Sequence, residues 1–364
     1  MAADGPVARD GSANTYRTSI VDAIVAGIER LPGRSWLAYV LITFAFLLVF
    51  AAEVVTGDFA FNQDWGRIAY GFFFIYPLAA YQYLSLGART AFDDFRAATD
   101  LDDRVAADVR LQLSTTPARP VIALWLFIAL ANVAGYLAFP VDFDIAERPI
   151  THVALRILSE SLWVAPMAIV LLYFVYRQLR LVARLHSSVR RVDLLRPAPM
   201  HALSRLTSRS SFALVVFAIY SGLPLPGTTE AAWIGTLVGF AVPILVLAVA
   251  AFFVPLRGLN RLLVHEKQRM LDEIGLRIHA ASEALHRTVD FEAANDSDIE
   301  GSRASQTRVD ALNKALTTLF QERDVVRRLS TWPWDGTTAR AVASAIALPI
   351  ALFFITRVLD RLVF

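Results

Sequence analysis

Arg156 and Glu160 stand four residues apart inside an otherwise apolar segment, and His152 lies one helical turn earlier. At 1.5 Å per residue from a boundary near residue 151, Glu160 sits roughly 14 Å into the apolar layer, close to the middle of a bilayer core about 30 Å thick. A lone charge at that depth costs at least about 2.5–3.5 kcal/mol, so the spacing predicts that Arg156 and Glu160 pair and face inward. Two roles fit the pair. With His152, Trp163, Asn132 and Tyr136 it makes the polar wall of an outward-facing pocket for a small-molecule ligand; alternatively it is an ion pair that fixes helix packing.

A second constellation belongs to the final apolar stretch. Pro349, Leu352, Phe353, Thr356 and Asp360 recur at three- and four-residue spacing and therefore share one helical face. Such a stripe suits a pore. Leu352 and Phe353 make an apolar constriction that gates by dewetting, and Asp360 makes an outer ring that favours cations. Arg357 and Arg361 flank Asp360 at the same outer mouth and pull towards anions, so the ion's sign stays open. The same face also fits packing against the protein's own bundle. Ahead of it, Trp332-Pro333-Trp334 has the composition of an interfacial aromatic belt, and Tyr70, Tyr76, Tyr81 and Tyr83 read as a second belt in an earlier segment.

Other chemistries fail on inspection. His265-Glu266 begins a zinc-protease helix motif, but the position four after His265 is Arg269. His279 and His286 are seven apart, too far for a helical chelate. Asp296, Asp298, Glu300 and Gly301 start like a calcium loop, yet its eighth and twelfth positions hold Arg303 and Thr307 where an apolar residue and a bidentate Glu belong. The chain has no Cys, which excludes disulfides and thiolate chemistry. It has no phosphate-binding glycine loop and no nucleophile elbow. The expectation is a protein that is not an enzyme and that uses no cofactor and no metal.

The elements that must carry these residues follow from composition. The chain is 56% apolar and only 19% charged, against about a quarter charged in an ordinary soluble domain. The apolar residues come in blocks, which makes this an all-α, polytopic membrane protein. Candidate spans are 36–55, 67–86, 119–140, 151–176, 207–225, 231–256 and 339–361. Basic residues are almost all Arg, the two lysines being Lys267 and Lys314. The arginines crowd alternate connections: the N-terminal region, 87–118, 177–206 and 257–338. The intervening connections hold almost none. That alternation obeys the positive-inside rule and gives seven transmembrane helices, N-terminus inside and C-terminus outside, in the inner or plasma membrane. The basic balance reads as topology and lipid contact, with no nucleic-acid partner.

The polar regions fall into place around the spans. Residues 1–14 read as disordered, with no cleaved signal peptide evident. Residues 15–35 hold an amphipathic helix (Ile20, Val21, Ile24, Val25, Ile28) that lies on the membrane or against the bundle. Residues 36–256 carry helices one to six, and the fourth continues past the membrane through Leu179, Val182 and Leu185. Residues 257–338 form a cytosolic helical anchor region, interrupted by an acidic solvated linker over 290–305; there Val309, Leu312, Leu316, Leu319 and Val326 mark a second amphipathic helix. Residues 339–364 form the seventh helix and an extracellular end.

This architecture resembles the insect odorant and gustatory receptors. It shares the amphipathic leading helix, the cytosolic extensions of helices four to six, the cytosolic helix before the seventh and the outside C-terminus. The family's seventh-helix signature, Thr-Tyr, five apolar residues, then Gln-Phe, is absent from Ala341–Phe364, so no site residue carries over. The resemblance implies a homotetrameric, ligand-gated cation channel in which each subunit's last helix lines a shared pore and the cytosolic helices join the subunits. Two other functions fit the sequence: a non-conducting membrane sensor or scaffold whose cytosolic helices recruit a partner, and a secondary transporter.

Overall fold

The computed structural model describes residues 16–31, 35–55, 65–96, 99, 101–138, 161–162, 165–187, 198–221, 234–235, 237–294 and 299–332, with 340, 343, 344 and 347. Among the described residues the fold is all-helical, apart from one bridge between Thr18 and Pro117. The helices are α1 (Ile20–Arg30), α2 (Ser35–Val55), α3 (Trp65–Arg96), α4 (Asp103–Ser114), α5 (Ala118–Ala138), α6 (Ala165–Ser187), α7 (Ala198–Ser221), α8 (Val242–Ala294) and α9 (Ile299–Arg328). A π-helical turn, Leu237–Ala241, leads into α8.

Four helical stretches are long and apolar enough to cross a membrane: Ala118–Gly135, Pro166–Leu185, His201–Ser221 and the one that starts at Val238. A fifth is reached if α1 and Ser35–Leu48 are counted together. Of the seven expected spans, 339–361 falls almost wholly outside the described residues. The expected span 67–86 is helical within α3 but is not among these apolar stretches. The reason is visible in its side chains. Tyr81, Gln82 and Ser85 are buried, so this helix turns a polar face to protein and has less need of lipid-compatible residues. In contrast, α5 leaves Ile122, Leu126, Phe127, Leu130 and Leu137 exposed, as a helix facing lipid or a second subunit does.

Much of the connecting sequence is helical, including the expected continuation of helix four past Leu185. The stretch 87–118 is helical over 87–96 and 103–114, and 177–206 is helical through Ser187 and again from Ala198. The acidic stretch 290–305 is helical over 290–294 and from Ile299 onward. Acidic residues favour a helix start because they meet the positive end of the helix dipole, and the sequence supplies Asp296, Asp298 and Glu300 there. Pro255 lies inside α8, which continues through it without a break. At 53 residues, α8 is about 80 Å long, far more than the roughly 30 Å needed to cross the apolar core.

The chain divides into two compact units. Unit 1 comprises Met1–Arg89, Ala107–Gln178 and Val216–Pro243. Its buried side chains include Val21, Val25 and Ile28 of α1, so the amphipathic leading helix sets its apolar edge against protein. Tyr81 packs on Phe174 with ring centres 4.2 Å apart, and Tyr76 stacks on Phe217 at 6.1 Å. Unit 2 comprises Thr90–Ala106, Leu179–Val215 and Ile244–Phe364. It buries Phe92, Phe95, Val182, Leu203, Leu206, Phe252, Leu256 and Leu259.

Candidate functional site

The most developed polar site among the described residues lies in unit 1, where α1 begins beside the turn between α4 and α5. Its assembly starts locally. Ser19 is the N-cap of α1: its Oγ accepts from the Asp22 backbone N–H at 3.3 Å, and the Asp22 carboxylate accepts from the Ser19 N–H at 2.9 Å. This reciprocal box aims the Asp22 carboxylate back across the helix start. The segment before it runs antiparallel to the turn: Ser19 N–H donates to Thr116 O at 3.0 Å, and Ala118 N–H donates to Arg17 O at 2.9 Å.

Two hydroxyls then converge on Asp22, with a third behind them. Tyr81 donates to Oδ1 at 2.6 Å, and Ser19 Oγ donates to Oδ2 at 2.8 Å. The Thr116 backbone N–H reaches Oδ2 at 3.2 Å. Thr116 Oγ1 lies 2.8 Å from Ser19 Oγ and 2.9 Å from Tyr81 Oη. Proton counting fixes the direction. Ser19 and Tyr81 each have one hydroxyl hydrogen, and both go to the carboxylate. Thr116 therefore donates to one of the two oxygens they leave free. Ser19, Tyr81 and Thr116 are almost wholly buried and Asp22 is half-buried, so the contacts of Thr116 Oγ1 with the other two hydroxyls form where water does not compete.

Arg177 of α6 holds the same turn by its carbonyls. Its Nη1 donates to Gln112 O at 2.8 Å, to Tyr16 Oη at 2.9 Å and to Thr115 O. Its guanidinium carbon lies 5.3 Å from the centre of the Tyr16 ring, a cation–π distance. Tyr16 in turn donates to Thr115 O at 2.9 Å. Burial pushes the Tyr16 hydroxyl above its ordinary pKa, against the lowering influence of Thr115 and Arg177, so it stays a neutral donor. Ser85 Oγ donates to Ser114 O at 2.6 Å, and Gln178 Nε2 reaches Leu113 O at 3.3 Å. The carboxylate of Asp22 thus takes the N–H of Thr116, and the guanidinium of Arg177 takes the C=O of Thr115 next to it. Together α1, α3 and α6 clasp one turn from several sides.

No protein-family model, curated protein or solved structure matches this chain.

Chemically the clasp is a fastening. All four bonds to the Asp22 carboxylate are donated to it, and they tie α1, α3 and the turn before α5 together. Among the described residues no group of three or more His, Asp or Glu could hold a metal ion.

The residues expected to line a ligand pocket are only partly within view. Asn132 is half-buried on α5, and Tyr136 belongs to the same helix. His152, Arg156, Glu160 and Trp163 lie outside the described residues, as do the pore stripe Pro349, Leu352, Phe353, Thr356 and Asp360 and the mouth residues Arg357 and Arg361. Sequence reasoning missed the clasp itself. It placed Asp22 on the polar face of an amphipathic helix and Tyr81 in an aromatic belt. The one local signal was Ser19 three residues before Asp22, which announces a helix start and nothing about the partners some 60 to 160 residues away.

Proposed function

We propose that this protein is a homo-oligomeric ion channel of the cell membrane. Seven helices cross the bilayer, N-terminus inside and C-terminus outside, and the last, over 339–361, lines a pore shared by four copies. A ligand or membrane stimulus acting on the outer halves of helices two to six shifts that last helix.

One observation carries this reading. Beyond its membrane portion α8 runs on as an amphipathic helix, and α9 returns beside it. Lys267 Nζ, near the root of α8's extension, donates to Arg327 O at 2.7 Å and to Leu329 O at 2.8 Å, at the far end of α9. Lys267 stands ten residues after Arg257, about 15 Å along the helix. The hairpin therefore brings the chain back to within reach of the membrane face that α8 left, just before the aromatic lead Trp332-Pro333-Trp334 and the last apolar stretch. A chain delivered there crosses once more, in the outward direction. Ile274 and Val326 are buried in the hairpin, which makes it a stiff element able to hold subunits in register.

Reconstitution of the purified protein into liposomes, with single-channel recording across a range of stimuli, is the decisive test. Discrete conductance steps are expected, and they change ion preference when Asp360 is replaced by Asn. Because the chain has no native Cys, a lone V363C label reports the parity of crossings cleanly. It is expected to react with an impermeant maleimide added outside intact cells.

The exposed Phe320 and Val325 of α9 favour a second reading, a non-conducting scaffold whose hairpin recruits a cytosolic partner. Particle mass in detergent separates the two: a monomer or dimer leaves no room for a pore built from one helix per copy.

A further inference from the structure

We propose that unit 2 carries a binding site for the phosphates of anionic phospholipid headgroups, built from three arginine pairs: Arg180 and Arg184 on α6, Arg205 and Arg209 on α7, and Arg257 and Arg261 on α8. Each pair has i, i+4 spacing and so occupies one face of its helix. Each also sits within the first turns beyond an apolar run. The run of α6 closes at Tyr176, that of α7 opens at Phe212, and that of α8 closes at Leu256. Consecutive spans alternate in direction, so the end of α6, the start of α7 and the exit of α8 meet the same membrane face.

The packing turns these side chains outward. Val182 and Leu185, Leu203 and Leu206, and Leu256, Leu259 and Leu263 are buried, while Arg180, Arg184, Arg205, Arg257 and Arg261 beside them are exposed. The three helical stretches carry no acid of their own. There is no Asp or Glu in 177–187, in 198–221 or in 242–265. Asp94 of α3 pairs with Arg205 at 3.1 Å, with both side chains about half exposed, and Arg184 and Arg209 also have partners within the protein. Arg180, Arg257 and Arg261 make no ion pair with a described residue. Guanidinium is the fitting chemistry, because its planar fork meets phosphate oxygens two at a time and it is weakly hydrated at a membrane surface. The site depends on the alternation of spans and not on conduction, so a silent bilayer leaves it standing.

The test uses the full-length protein in detergent, titrated with dioleoylphosphatidylglycerol, with dioleoylphosphatidylcholine or with inorganic phosphate. Bound lipid is counted by native mass spectrometry and thermal unfolding is followed in parallel. Phosphatidylglycerol is expected to bind and to raise the unfolding midpoint, while the other two leave it in place. The triple variant R180Q/R257Q/R261Q is expected to bind phosphatidylglycerol on the order of a hundredfold more weakly, and R257Q alone about fivefold, since each arginine near an anionic surface contributes roughly 1 kcal/mol. The control triple R287Q/R308Q/R323Q, on the exposed hairpin, is expected to match the parent. Equal binding by parent and R257Q, equal protection by inorganic phosphate, or an equal loss in the control overturns the site.

Discussion

In unit 1 a single carboxylate, Asp22, gathers two hydroxyls and two backbone N–H groups contributed by α1, by α3 and by the turn before α5. In unit 2 the α8–α9 hairpin carries ion pairs within one turn of helix: Glu273 with Arg277 in the open, and Glu266 with Arg269 with the glutamate partly covered. The contrast is one of solvent. Where water is excluded, a polar group left unpaired costs about 1–3 kcal/mol or more, so every partner must be supplied by protein, from wherever the fold can bring it. Where water is present it serves as partner, and in the hairpin the ion pairs join neighbours that the helix already holds together.

The largest expected effect comes from breaking the node of unit 1. D22A takes a shared acceptor from four donors, of which the Ser19 N–H alone keeps a backbone partner in Thr116 O, and is expected to destabilise the protein by about 3 kcal/mol, as removal of one member of a charged network does. The measurement is reversible unfolding in mixed detergent, compared with the parent. A cost below about 1 kcal/mol would mean that the clasp does not hold unit 1 together, and the contrast between the units would collapse.

Tyr81 sharpens the same point by dividing its two contributions. Y81F keeps the ring against Phe174 and removes only the hydroxyl that reaches Asp22. A hydrogen bond to a charged group contributes about 1.5–3 kcal/mol, so Y81F is expected to fall in that range, short of D22A. Y81L removes the stacked ring as well and is expected to cost more than Y81F. If Y81F is neutral while Y81L is not, Tyr81 serves packing alone.

This difference in solvent also explains what the sequence made legible. Apolar blocks are local features, so the all-helical fold and the presence of helices long and apolar enough to cross a membrane could be read directly. The limits of the elements were less readable: Pro255, Asp290 and Glu300 look like breakers or linker residues, but in the fold they stand within or at the start of long helices. The clasp was unreadable for a further reason. Asp22 and Tyr81 are 59 residues apart, and Tyr16 and Arg177 are 161 apart. Each of those side chains has an ordinary surface or belt explanation until the fold puts them together. The expected span 67–86 is helical within α3, yet it buries Tyr81, Gln82 and Ser85 and is not among the helices long and apolar enough to cross a membrane.

Lys267 is the place in unit 2 where the contrast narrows. It is exposed to water on one side yet satisfies two carbonyls that α9 leaves open at its end. K267M keeps the aliphatic stem and removes both bonds, and is expected to cost about 1–2 kcal/mol, confined to the hairpin. Hydrogen exchange is the sensitive readout: amides in the last turns of α9 should exchange about five- to thirtyfold faster, while those of α3 and α6 keep their rates. Acceleration spread evenly through the chain would instead make Lys267 part of the global fold.

The smallest effect belongs to the pair Glu273–Arg277. Its atoms approach to 2.6 Å, closer than most contacts of the clasp, so distance alone would rank it among the strongest interactions of the molecule. Exposure reverses that ranking, because 55% and 59% of the two side chains remain open to solvent. Water screens their attraction, both long side chains give up rotamer freedom to meet, and salt weakens what is left. The double variant E273Q/R277Q is therefore expected to change hairpin stability by less than about 0.5 kcal/mol, with the difference shrinking further from low to high salt. Run beside K267M in the same exchange experiment, it isolates what solvent does to a short contact. A cost for the double variant as large as that for K267M would show that contact distance, and not exclusion of water, ranks the polar interactions of this protein.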